Sequence, residues 1–379
     1  MEIRRWMGVF LAAFWGLAGS IHAQSLDVPS AIINALKNKD QAALDQLIDI
    51  DAFSNVVLRG AKLPSSVAEA VKHGMAAGAM KLSHGLIQTA ERAGTPKLMR
   101  VRSRGEKQYV LVRLAGDDAS NYFEYIEFVV GGNQHIEDWS TLSRGGLTSD
   151  FLRLFFVGLL NKETLARLYA MDAKAGKESM QALQALNSAL SRGDYAGAYE
   201  ALAGFPEAYR KTRDWAMVRI SMGMATSVEK YEEATQYLAE NFGNDPTARA
   251  LLINYYAVRK NWDAAYDAVE AVESIVGADG LLASQKARIL SVAGKYREAI
   301  EVCRLGIQME PDRKALYWDL VNIGLLTKDA PLVLSTLTTY EEAFGFRFDP
   351  DKLAKLGPYA EIAKTPDFAV WAQSRQQKN

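Results

Sequence analysis

Cysteine is nearly absent from this chain of 379 residues. Cys303 is the only one, so no intramolecular disulfide can form and a buried core must hold the fold. Histidine is scarce too: beyond His22 near the N-terminus there are only His73, His84 and His135. His73 and His84 are eleven residues apart, close to one helical face but about 16 Å along it, too far to share a metal. His135 and Glu137 alternate on one strand face. That pair could do acid-base work, but a hydrogen-bonded pair on a sheet surface is the simpler reading. The chain also lacks a phosphate-cradling glycine loop, a nucleophile elbow and any metal-ligand spacing, so no catalytic residue, metal or cofactor is assigned. A basic excess is missing, with a formal net charge of -1, which argues against nucleic acid as a partner. Past the N-terminus no uncharged apolar run is long enough to span a membrane.

What is present begins with an N-terminal leader. Arg4 and Arg5 precede an apolar run from Trp6 to Ile21, and Ala23 follows as a cleavage residue. This is the layout of a secretory signal peptide over 1–23, and the expected location is exported, in the periplasm of a Gram-negative bacterium. An uncleaved anchor is the competing reading of the same run. The whole chain is 49% hydrophobic and 23% charged, an ordinary globular composition.

The apolar period then divides the chain. Ser30 to Leu47 and Ser65 to Arg92 have helical spacing, and from Lys97 to Trp139 the period is close to two. Breaks at Arg104-Gly105, Gly116-Asp117-Asp118 and Gly131-Gly132-Asn133 predict an antiparallel meander of about four strands. Residues 28–146 therefore read as an α+β domain with helices first, ending at Gly145-Gly146. Arg100, Arg102 and Arg104 form a basic stripe; a cross-strand ion network with Glu124, Glu127, Glu137 and Asp138 is the first explanation and an anion site the second. Residues 147–178 read as connecting helices, and everything beyond is all-α.

The helical half contains a repeat. Gly294, Tyr296 and Ala299 recur in kind as Gly193, Tyr195 and Ala198, with partial copies at Tyr231 and Ala234 and at Trp262 and Ala265. Trp262 to Tyr296, Ala265 to Ala299 and Val269 to Cys303 are each 34 residues, while Tyr195 to Tyr231 is 36 and Tyr231 to Trp262 is 31. In this period and pairing the region resembles the tetratricopeptide repeat family, with about five units over 179–345. The best unit has Ala287, Gly294, Tyr296, Ala299, Gly306 and Pro311 at pattern positions, but Ala283 where an early aromatic belongs. The small alanine lets the first helix cross closely, and the ring is expected to fill the space between helices. A C-terminal cap over 346–379 is expected to cover the last apolar face through Leu353, Leu356, Ile362, Phe368 and Trp371.

That resemblance implies a superhelix whose concave side carries the first helix of each unit. It places Asn187, Arg219, Asn254, Arg288, Trp318 and Asn322 along a groove. Asparagine amides can hold an extended peptide backbone, arginines a carboxylate, and the tryptophan an apolar side chain. The function expected is a protein-protein interaction scaffold that binds an envelope protein or peptide without catalysis, with the oligomeric state left open. The order of elements in the N-terminal unit is similar to nuclear-transport-factor-2-like cone domains. An alternative function is therefore a small-molecule-binding or hydrolytic cone with accessory repeats. A polar cavity under the helix from Ser65 to Arg92 would favour the alternative, and a core filled by Met75, Leu82 and Leu86 the scaffold.

Overall fold

The computed structural model describes residues 27–60, 63–116, 122–153 and 173–376. The leader, the turn at Asp117-Asp118 and most of the connecting segment lie outside these residues.

Short helices open the chain. α1 (Val28–Asn38) stops at Lys39, whose φ of 55° reverses the backbone, and the Asp40 carboxylate accepts from the Ala43 amide to start α2 (Gln41–Leu47). Asp49 likewise caps α3 (Ile50–Leu58), which the sequence pattern did not resolve. α4 (Ser65–Ala93) follows. The sheet is a meander in the order β1 (Thr95–Arg104), β2 (Lys107–Ala115), β3 (Phe123–Val130), β4 (Ile136–Thr141), β5 (Gly146–Leu147), antiparallel throughout. The fifth strand corrects the expectation of about four. Gly145, at φ 71°, turns a hairpin, and Gly146-Leu147 pairs with Ser140 and Thr141. Two residues carry too little alternation to register as a strand pattern.

Both faces of the sheet are covered. Val110, Val112, Leu114, Ile126 and Phe128 pack with Met75, Leu86 and the residues of α1 to α3 in one buried cluster. Leu82 packs on it partly buried, and Phe53 stacks on Trp139 with ring centroids 5.3 Å apart. Among the described residues, Met75, Leu82 and Leu86 of α4 thus pack directly on the sheet. Leu111, Ala115, Tyr125 and Leu142 point the other way and share a cluster with Ile253, Val269, Val272, Leu281 and Leu282 of the helical half.

Beyond the sheet, helices pack in successive pairs: α5 (Ala173–Ser191) with α6 (Tyr195–Ala201), then, after the short α7 (Glu207–Arg210), α8 (Arg213–Thr226) with α9 (Val228–Phe242). α10 (Pro246–Val258) packs with α11 (Trp262–Val276), α12 (Gly280–Val292) with α13 (Tyr296–Met309), and α14 (Lys314–Thr327) with α15 (Ala330–Phe344). The recurring motif now has a physical meaning. A left-handed residue, Gly193, Lys260, Gly294 or Lys328, ends the first helix of a pair. Asp194, Asn261 or Asp329 then caps the second helix by accepting from an amide three residues on. Ala198, Ala234, Ala265 and Ala299 are fully buried, as the crossing requires. The rings are less buried than expected: Trp262, Tyr296 and Tyr231 are half-buried and Tyr195 is 46% exposed, so they flank the crossing rather than fill it.

The tail forms α16 (Pro350–Ala354), two 3-10 turns and α17 (Pro366–Gln376). Leu353, Ile362, Phe368 and Trp371 close over Val321, Val333 and Leu337 of α14 and α15. Leu356 is exposed at 53% and takes no part in that cover.

Candidate partner-binding surface

The six residues placed along a groove fall into different environments. Arg219 on α8 is held between the rings of Tyr199, Trp215 and Tyr237, at 5.2, 5.1 and 5.7 Å, and ion-pairs with Glu233 of α9. Arg288 on α12 donates through Nε to Asp319 Oδ1 at 2.8 Å, and the Ser284 hydroxyl donates to the same carboxylate. Burial pushes the Asp319 carboxyl up, and Arg288 and Ser284 oppose that. Both arginines therefore have partners inside the helical half. Asn187 is half-buried, while Asn254 and Asn322 are exposed. No hydrogen bond, ion pair or ring contact among the described residues joins any of the six to another.

Trp318 sits in a surface of rings. Its centroid is 5.4 Å from Tyr340 and 6.0 Å from Phe348, and Phe346 lies 4.8 Å from Phe348. Trp318 is 36% exposed and Phe346 51%. Asn322 is four residues on and so shares the Trp318 face of α14. The loop carrying Phe346 and Phe348 is tied down by Glu341, which accepts from the Phe348 amide at 2.9 Å and from Arg375 at 2.5 Å. Large rings half in water, on a backbone held by a buried carboxylate, make a pre-shaped apolar platform. Sequence reading found Trp318 and Asn322 but not Asp319, Tyr340, Phe346 or Phe348, because the platform assembles from α14, α15 and the loop after it.

A second group of polar residues lies between the sheet and the helices. Arg113 on β2 donates bidentately to Glu310 at 2.8 and 2.6 Å and ion-pairs with Asp279. Asp279 also accepts from the Tyr125 hydroxyl at 2.7 Å and from the Leu281 amide at 2.7 Å, capping α12. Lys97 reaches Glu310 at 2.8 Å. Burial opposes the charge on Glu310, but hydrogen bonds from Arg113 and Lys97 outweigh it and hold the carboxyl at about 2. Burial likewise works against the Arg113 charge, and Glu310 and Asp279 more than offset it. Arg313, the buried cap residue of α14, lies in the same field with its cationic form disfavoured first by burial and then by Arg113. Further contacts also fall where the first helix of a pair begins: Arg213 of α8 donates to the Gly145 carbonyl at 2.7 Å and to Thr247 of α10 at 2.7 Å.

The basic stripe is neutralised more narrowly than expected. Glu127 takes Arg102 at 2.7 Å and Arg100 at 3.9 Å, and Arg100 also donates to the Ile275 carbonyl. Glu137 pairs instead with Lys107 at 2.6 Å, and Glu124 and Asp138 are buried on Ser143 and Ser149. His135 turns to the Asn133 carbonyl at 2.8 Å, so it and Glu137 do not form the pair their spacing suggested. Burial pushes the Cys303 thiol well up, which keeps it unreactive. No group of three or more His, Cys, Asp or Glu among the described residues could hold a metal. No helix among them is long and apolar enough to cross a membrane.

Compared with known proteins, the chain matches no family model and no curated sequence.

Proposed function

We propose that this chain is an exported, periplasmic interaction scaffold whose tetratricopeptide-like helix pairs stack into a superhelix and hold an extended segment of an envelope protein, without catalysis. The observation that carries this reading is the platform on α14: Trp318 and Asn322 on one helix face, extended by Phe346 and Phe348. Rings give an apolar side chain a place to bury, and the asparagine amide offers a donor and an acceptor to peptide backbone. The cluster of apolar side chains that Met75, Leu82 and Leu86 of α4 join supports the scaffold over the cone reading.

The test is a quantitative pull-down from envelope extract with the chain from Gln24 as bait, beside a variant with Asn254, Trp318 and Asn322 changed to alanine. Arg288 is kept, because removing it would strand the buried Asp319 charge. The expected result is one or more proteins enriched by the native bait and lost with a variant of unchanged melting temperature. Equal recovery by the two baits would refute the assignment.

A further inference from the structure

A cleft of about 480 Å3 opens where the β4–β5 turn and the helical residues 148–153 face α8. It lies outside the packed interior of the N-terminal unit and away from the α14 platform. Its apolar wall is formed by Leu147, Met217, Met222, Met224 and Leu251. Methionine side chains adapt their shape to an irregular apolar guest.

The polar rim has an uneven charge. Arg92 lies 4.9 Å from the ring centroid of Tyr122, and Arg144 lies 5.3 Å from that of Phe151. The acids on the rim are engaged, Asp150 by Arg153 at 2.7 Å and Asp214 by Arg213 at 3.5 Å. Burial disfavours the Arg144 cation, and Glu124 and Asp138 beneath the rim only partly oppose that. Both are buried and already accept from Ser143 or Ser149 and from backbone amides. Arg144 donates to the Thr148 hydroxyl at 2.8 Å. Neither Arg92 nor Arg144 has a carboxylate partner at ion-pair distance among the described residues.

We infer that this cleft binds an anionic amphiphile, a single apolar chain ending in a carboxylate. The chain lies along the methionine wall, and the head is held by Arg92 and Arg144. Guanidinium groups over aromatic rings present their donors at the edge, at Arg144 those not given to Thr148, and a carboxylate accepts from such donors with charge assistance.

Calorimetric titration of the chain from Gln24 with dodecanoate tests this, with acetate as the head alone and dodecyltrimethylammonium as the chain with the opposite charge. Saturable binding of dodecanoate only is expected, weakened about tenfold or more in the Arg92→Ala, Arg144→Ala double variant. Met222→Glu keeps both arginines and puts a like charge on the wall, so it should weaken binding in the same way if the double variant does not fold. The inference is overturned if the native chain binds no dodecanoate, binds the ammonium probe as well, or keeps its affinity in whichever variant is folded.

Discussion

The two faces of the sheet are both buried, but by different physics. Towards α1 to α4 it presents Val110, Val112, Ile126 and Phe128, which join one cluster of apolar side chains. Towards the helix pairs it presents Leu111 and Ala115 interleaved with Arg113 and Tyr125, and those polar groups end on Asp279 and Glu310. An apolar face tolerates any partner that excludes water. A buried guanidinium tolerates only an arrangement that supplies carboxylates at the right places. The first face thus supplies burial, and the second specifies how the sheet meets the helices.

The largest effect expected from breaking this comparison is at Arg113. Arg113→Ala leaves Asp279 and Glu310 buried without their main cation and should cost about 3–5 kcal/mol. Phe128→Ala, on the apolar face, should cost a similar 3–5 kcal/mol by leaving a cavity. Equilibrium unfolding in urea measures both. The two part company on rescue: adding Asp279→Asn and Glu310→Gln to Arg113→Ala should recover much of the loss, since the stranded charges are gone. No recovery would mean that Arg113 acts through packing.

Acid sharpens the same contrast. The Glu310 carboxyl lies near 2 in the fold against an ordinary 4.5, so its contribution is complete above about pH 4.5 and is lost as the pH falls through about 2. The stability difference between the native chain and Glu310→Gln should therefore shrink over that window, while the cost of Phe128→Ala stays level. Unfolding measured at a series of pH values reads both, and a pH-independent Glu310→Gln cost would refute the ion-cluster account.

Within the helix pairs the expected effects are smaller. Ala299→Leu, at a fully buried crossing, should overpack α12 against α13 and cost about 1–3 kcal/mol. Asp329→Ala removes the cap on the Leu332 amide and should cost about 1 kcal/mol. Thermal unfolding ranks the two, and an Asp329→Ala loss above that of Ala299→Leu would reverse the importance given to close crossing.

Much of this was legible from residue order. The period of two between Lys97 and Trp139, the turn glycines Gly193 and Gly294, and the alanines at the crossings are local patterns, and local backbone preference decides them. The groove residues were legible as positions on helices but not as environments. Arg219 and Arg288 looked available, yet Glu233 and Asp319 take them, from residues 14 and 31 positions further along the chain.

By itself the sequence determined most of the helix and strand segments, α3 and β5 excepted, and the small residues at the helix crossings, because these follow from dihedral preference and hydrophobic period. Only the tertiary structure decided that the polar face of the sheet is interior, that Trp318 joins rings from α15 and the following loop, and that Arg92 and Arg144 rim one cleft. Each of those depends on groups far apart in the chain being brought within a few ångströms, and charge and ring contacts act only at that range.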